Sequence, residues 1–454
     1  MSSQGSNTPG DSEYLYLYSL RKMAEANLNK ERTNLTNLLN LRAFLFKADD
    51  LIRYQEDKFA IIVMDIAGFK LINEFCSRQA GDNLLKYIAD CFRCYESDKT
   101  AVAHFRADIF ALCTPYETED DLVAIVKDLS SKIKAFPINC KVMPAFGICP
   151  AFDKNISASY LQDYAIIALK TVKGKYFTNY AFFDTAMRDN MLLEKKVENG
   201  FDEALSTDQF QLYIQPKVDM QDGSIVGGEA LVRWMHPLDG LISPDSFIPV
   251  LEKNTSIIDM DKFIWRKVFQ LVSELKSSLG IELPISINIS RLHAYDTSFV
   301  ETLKNLSEEF RVPPSLIPLE LTESACSDKE GLMYDKIHTL RNLGFTFSMD
   351  DFGSGYSTMN MLGSQPVDEI KIDKVFLNHM EDPKSQIIIH HSIDMIHALG
   401  LQIVVEGVET QLQRDMLLEW GCHIAQGYLF YKPMPAENFK NLLTKENVRC
   451  QVHC

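Results

Sequence analysis

Residues 348–357 read SMDDFGSGYS, and the chemistry available there is that of paired carboxylates. Asp350 and Asp351 stand side by side after an apolar segment and directly before a turn containing Gly353 and Gly355. Neighbouring side chains on a strand point to opposite faces, so adjacent acids at a strand end are a poor packing solution. Three readings fit the residues: ligands for a hard cation, a helix cap, or the DFG fragment of a protein kinase. The kinase reading fails on the rest of the chain. There is no HRD loop and no VAIK-type lysine upstream, and the glycine turn follows the acids.

Other polar residues recur at comparable places. Beyond residue 200, strand candidates alternate with helical segments: QFQLYIQP, SIVGGEALVRW, PISINIS, IPLELTES, FTFSMDD, VDEIKID, QIVVEGV and HIAQGYLF. Eight strands with helical crossovers predict a (β/α)8-type barrel. Only a short VDMQDGS turn separates the first two, which predicts a hairpin and one antiparallel strand. Toward the carboxyl ends of the strands stand Glu229, Asn288, Glu320 with Glu323, the Asp350–Asp351 pair, Lys371, Glu406 and Gln426. Barrel enzymes assemble their sites from these ends. So many acids in one pocket repel one another unless cations compensate. Oxygen donors without clustered His or Cys suit Mg²⁺ or Mn²⁺, and two such ions are the arrangement used for phosphodiester hydrolysis. A single acid of this kind would be a cap or a surface residue; a polar group at one end of strand after strand is a site.

The segments that must position these residues fit the composition. The chain has 454 residues, enough for two or three domains, with 46 % hydrophobic and 24 % charged residues. A formal charge of −16 opposes binding to nucleic-acid backbones. Apolar runs such as FAIIVMDIAGF are too short to span a membrane, and the polar start MSSQGSNTPGDSEY lacks the order of a secretion signal. Ten scattered cysteines fit reduced thiols in the cytoplasm. Cys91 and Cys94 fall on one helix face, and the tail residues Cys450, His453 and Cys454 lack a fourth ligand.

Residues 1–30 read as a tail and helix, the helical pattern running from Glu13 to about Asn40. Residues 31–184 alternate strands and helices as a compact α/β unit, 185–199 form a connecting helix, and 200–445 form the barrel.

The region 200–440 resembles the EAL domain of bacterial cyclic di-GMP phosphodiesterases. The match runs through YIQP, GGEALVRW, INIS, LELTES, MDDFGSGYS, IKIDK, VVEGVET and QGYLF, in order. The resemblance implies that Glu229, Asn288, Glu320 and Asp350 hold one metal ion, and that Asp350, Asp351 and Glu406 hold a second. It implies that Lys371 contacts the attacking water or the phosphate, that Glu406 is the general base, and that Gln215, Arg233 and Gln426 bind substrate. Glu323 matches a carboxylate that steadies the loop after Asp351. Thr255 replaces a glycine, Val405 an alanine and Thr358 a serine, while no metal-ligand position is lost. The expectation is hydrolysis of cyclic di-GMP to linear pGpG by a homodimer. The rival is a receptor or protein-interaction module that does not hydrolyse it.

Residues 31–184 resemble a GGDEF domain, the diguanylate cyclase (palm) fold, in degenerate form. Thr36, Leu38, Asn40, Arg42, Asp65, Phe69, Lys70, Asn73, Gly81, Asp82, Lys173 and Gly174 keep its pattern, while Ala67 replaces its second acid. Its signature reads Arg106-Ala107-Asp108-Ile109-Phe110, which lacks the glycines that admit GTP and the catalytic glutamate. Ser97 and Thr100 stand at the inhibitory-site positions. The domain is therefore expected to be regulatory, binding GTP, or purely structural.

Overall fold

The computed structural model describes residues 31–175, 177–322, 331–352, 367–380 and 382–452. The chain divides between Leu192 and Leu193 into two compact units.

In the first unit, β1 (Lys58–Ile66) is the centre of a five-stranded sheet. With β2 (Ala101–Arg106), β3 (Ile109–Tyr116), β4 (Pro144–Pro150) and β5 (Tyr180–Phe182), the order is β2-β3-β1-β4-β5. All pairs are antiparallel except β4–β5. The run KFAIIVMDI is apolar on both faces because both are covered. Ala60, Ile62, Met64 and Ile66 pack beneath α3 (Arg78–Arg93) and α4 (Glu119–Lys134). Phe59, Ile61 and Val63 face α1 (Leu41–Tyr54) and α5 (Ala158–Val172). The short helix α2 (Phe69–Cys76) follows β1.

The expected helix from Glu13 to Asn40 is not formed over residues 32–40; residues 1–30 lie outside the described ones. That stretch turns instead, with Asn37 at φ 54°, and Leu39 bridges to Arg32 and Ala103. The Asn40 side chain accepts from the Ala43 N–H and starts α1, a helix the sequence reading did not anticipate. Asparagine stops one segment and caps the next because its side chain satisfies a helix-end donor.

The second unit is the barrel. Helix α6 (Thr185–Ser206) runs across the division, and its Val197, Phe201 and Ala204 are buried in the barrel core. The strands are β6 (Phe210–Asp219), β7 (Ile225–His236), β9 (Ile285–Asn288), β10 (Leu319–Thr322), β11 (Phe347–Phe352), β12 (Glu369–Ile372), β13 (Gln402–Glu406) and β14 (Ile424–Gln426). From β7 to β14 neighbours are parallel. β6 closes the ring, antiparallel to both β7 and β14, as the hairpin predicted. Short β8 (Gly240–Ile242) and β15 (Met434–Pro435) extend the sheet beside β7 and β6. The covering helices include α7 (Pro244–Lys253), α8 (Ile257–Leu279), α9 (Phe299–Phe310), α10 (Leu332–Asn342), α11 (Pro383–Ala398), α12 (Gln411–Glu419) and α13 (Ala436–Val452).

In the first unit β4 packs on α5 at Gly147, where a Cβ would come within 1.8 Å of Ala165 O and 2.5 Å of Leu169 N. Those are backbone atoms and cannot rotate away. Gly147→Ala is therefore expected to destabilise this unit by about 3 kcal/mol or more, read by urea unfolding, as overpacking of a tight core does.

Candidate active site

The alternation of the barrel strands decides which side chains reach the interior. Gln215 and Lys217 of β6, Glu229 of β7, Glu320 of β10, Lys371 of β12 and Gln426 of β14 are all buried, with Lys371 1 % exposed. Their gathering point is the Lys371 ammonium. Its Nζ lies 2.7 Å from Glu406 Oε1, 2.8 Å from Glu320 Oε2, 3.0 Å from Asp350 Oδ1 and 3.4 Å from Glu229 Oε2. Asn288 Nδ2 donates to Glu229 Oε1 at 3.3 Å, and Gln426 Nε2 donates to Glu229 Oε2 at 2.5 Å and to Gln215 Oε1 at 3.0 Å. Gln215 in turn donates to Tyr431 O at 3.2 Å.

The adjacent acids share a site because the strand does not stay regular. The β11–β12 register shifts between Met349 and Phe352, and Asp351 has φ 57°. The Asp351 N–H donates to Asp350 Oδ1 at 3.0 Å. This bulge turns both carboxylates toward Glu406, so that one oxygen from each of the three lies within 4.8 Å of the others.

Charge crowding leaves its mark on the protonation of the cluster. Burial pushes the Glu406 carboxyl up to about 8, with Glu229 and Asp350 adding to the effect and Lys371 opposing it. Glu229 is raised by burial too, against the pull of Lys371. Asp351 reaches about 6, through burial and the charge of Asp350. Glu320 goes the other way: burial is outweighed by Lys371 and Lys217, which hold it at about 2. Burial would lower the pKa of Lys371, but the carboxylates around it keep it well above the ordinary value.

The donor set fits divalent cations. Acids outnumber the one lysine they share, all donors are hard oxygens, and the buried Gln426 Oε1 has no hydrogen-bond partner. Next to the cluster a cavity of ≈ 320 Å³ opens, lined by Glu229, Arg233, Asn288 and Thr322 among others. Arg233 lies on its wall, donating to Val232 O at 2.8 Å, with its guanidinium 5.7 Å from the Tyr213 ring centre. Glu252 accepts from Ser290 Oγ at 2.8 Å on the same wall. Thr255 keeps the left-handed backbone, φ 68°, that the replaced glycine would favour. Glu323, Gly353, Gly355 and Thr358 lie outside the described residues.

Comparison with known proteins agrees with this geometry. A family model described as EAL domain matches residues 198–433. The chain belongs to the EAL-domain family. A second model, diguanylate cyclase GGDEF domain, matches residues 32–178, so the EAL barrel follows a GGDEF domain in tandem. Two similar proteins come from Pseudomonas aeruginosa. One is bifunctional diguanylate cyclase/cyclic di-GMP phosphodiesterase MucR, 29 % identical over 92 % of this chain and 62 % of its own. The other is cyclic di-GMP phosphodiesterase NbdA, 30 % identical over 94 % of this chain and 54 % of its own. The chain thus spans under two thirds of the length of these relatives. The solved structure of the PaMucR phosphodiesterase in complex with c-di-GMP is 33 % identical, with TM-score 0.52, over 54 % of this chain and 99 % of that one. Among the described residues, no helix is long and apolar enough to cross a membrane.

In the GGDEF domain, Asp65 Oδ2 meets Lys173 Nζ at 2.6 Å, while its buried Oδ1 has no hydrogen-bond partner. Asp108 accepts from the Ile66 N–H at 3.1 Å. Ala107, on the β2–β3 turn, has φ 49°. Burial pushes Asp65 to about 6, against Lys173 and with the help of Asp108.

Sequence reasoning missed the layer below the acids. Lys217 is buried and contacts Glu320 Oε1 at 3.0 Å and Glu369 Oε1 at 3.3 Å, and Glu369 accepts from Ser348 Oγ at 2.7 Å. The signal was present: Lys217, Glu369 and Ser348 each lie two residues from a recognised site position and so share its face. Because Gln426 steadies Glu229, Gln426→Leu is expected to weaken divalent-cation binding by about 10- to 100-fold, measured by calorimetry, with melting temperature little changed.

Proposed function

We propose that the protein hydrolyses cyclic di-GMP to linear pGpG at the carboxylate cluster, using two Mg²⁺ or Mn²⁺ ions. The observation that carries this reading is the convergence of Glu229, Glu320, Asp350 and Glu406 on one buried lysine, with Asn288 and Asp351 beside them. Bound ions would neutralise a phosphate and acidify an attacking water. Glu229, Asn288, Glu320 and Asp350 would hold one, and Asp350, Asp351 and Glu406 the other.

The side chains divide the remaining work. Glu406, at the rim and one-fifth exposed (21 %), would accept a proton from the water as its oxygen bonds to phosphorus, and that proton would pass to the 3′ oxygen as its bond to phosphorus breaks. Lys371 keeps the acids together and faces the charge that develops on the phosphate. Arg233 offers a guanidinium to a phosphate entering the cavity, and Gln215 and Gln426 hold the floor on which Glu229 rests. In the GGDEF domain, replacement of the glycine turn and the loss of the glutamate at Ile109 oppose cyclase chemistry. Asp65 and Lys173 remain for a regulatory GTP, and the barrels pair as a homodimer.

The purified chain incubated with cyclic di-GMP and Mn²⁺ or Mg²⁺ is expected to form pGpG, followed by chromatography. Chelation should abolish it, and Glu229→Ala should lower turnover by about 100-fold or more. Tight binding of cyclic di-GMP without pGpG under either metal would replace the hydrolase reading with that of a receptor. An unchanged rate on adding GTP, with no GTP binding by calorimetry, would leave the GGDEF domain a structural role.

A further inference from the structure

Among the described residues, Lys217 and Lys371 are the two buried lysines. Both touch Glu320, whose side chain is 0 % exposed. Lys371 Nζ takes Oε2 at 2.8 Å and Lys217 Nζ takes Oε1 at 3.0 Å, so the carboxylate lies between two ammonium groups. Lys217 reaches this place because β6 pairs it with Gly227, which adds no side chain to the barrel interior. Its second partner, Glu369, sits two residues before Lys371 on the same face of β12 and is held by Ser348. The barrel therefore contains a continuous ladder of charge, running Glu369–Lys217–Glu320–Lys371 and ending at the cluster of acids above, with the Ser348 hydroxyl bonded to its far end.

A packing role does not account for Lys217. Buried ion pairs lose about as much to desolvation as they gain by attraction, and apolar residues of similar volume serve packing as well or better. What a buried ammonium does supply is a fixed positive charge in a poorly screened interior, one carboxylate away from the cation positions. We propose that Lys217 and Glu369 together set the charge that the cluster presents to a divalent cation. Lys217 weakens the hold on the ion by neutralising Glu320, and Glu369 limits that weakening by sharing the ammonium. This rests on the metal-binding reading given under Proposed function.

The two residues push in opposite directions, and this makes the idea testable by Mn²⁺ titration of the full chain, using calorimetry without substrate. Lys217→Met should tighten Mn²⁺ binding by about tenfold or more, the size expected of one unscreened charge at this range. Glu369→Gln keeps an oxygen to accept from Ser348 and leaves Lys217 wholly to Glu320, so it should weaken Mn²⁺ binding severalfold. Unchanged affinity in both, or a shift of the same sign in both, would overturn the proposal and leave the pair a structural role. If Lys217→Met does not fold, Glu369→Gln decides alone, since its side chain is partly exposed (16 %) and an unaltered affinity there removes the case. Wild-type protein that binds no Mn²⁺ would sink the metal-binding reading itself, a result distinct from normal wild-type binding with unresponsive variants.

Discussion

Four strands each deliver a carboxylate to within 3.4 Å of the same ammonium, and the rest of the barrel unit is arranged around that crowding. Taken singly, each of these acids costs free energy to bury, and taken together they repel. Lys371 offsets both penalties at once, being central and 1 % exposed. Glu229, Glu320, Asp350, Asp351 and Glu406 still outnumber Lys371 and the Lys217 that also touches Glu320, so the acids remain in excess. A structure that only needed to be stable would have no reason to keep it, because apolar side chains would fill the same space at lower cost. An excess of acids over lysines is what a site for divalent cations requires, and it fits the proposed hydrolysis.

The same two residue types produce a different balance in the GGDEF domain. There Asp65 has one lysine, Lys173, at 2.6 Å, and Asp108 is directed to the backbone N–H of Ile66. Asp108 adds a second negative charge beside that pair, so two acids and one lysine meet here, fewer acids than in the barrel. The orphaned Oδ1 of Asp65 is the remaining unmet need. The contrast lies in the number of acids brought together: in the barrel eight strand ends converge, whereas a flat sheet brings together only the ends of adjacent strands.

Much of this was legible in the chain. Eight strand patterns with helical crossovers gave the barrel, and polar residues at one end of successive strands gave its acids. The geometry of the Asp350–Asp351 pair was not legible. Regular alternation would send the two to opposite faces, and only the bulge and the left-handed backbone at Asp351 reconcile them. Lys217 and Glu369 were not legible for the opposite reason: they obey the alternation, but lie two residues from the site positions and carry no motif of their own. The turn at 32–40 defeated a helical pattern because Asn37 and Asn40 favour local hydrogen bonding that periodicity does not register.

The antiparallel strand β6 has a consequence for how the barrel comes into being. It pairs with β7 next to it in sequence and with β14 some two hundred residues later, in the register Ala425 with Val218 and Ile424 with Asp219. The first strand of the barrel made on the ribosome therefore waits for the last before its second edge is covered. Until then the nascent sheet has two open edges and an interior already carrying Lys217 and Glu229. Contacts so distant in sequence slow folding and prolong the exposure of strand edges that invite mispairing. Closure of the ring also brings Gln426, on β14, to the Glu229 that it steadies.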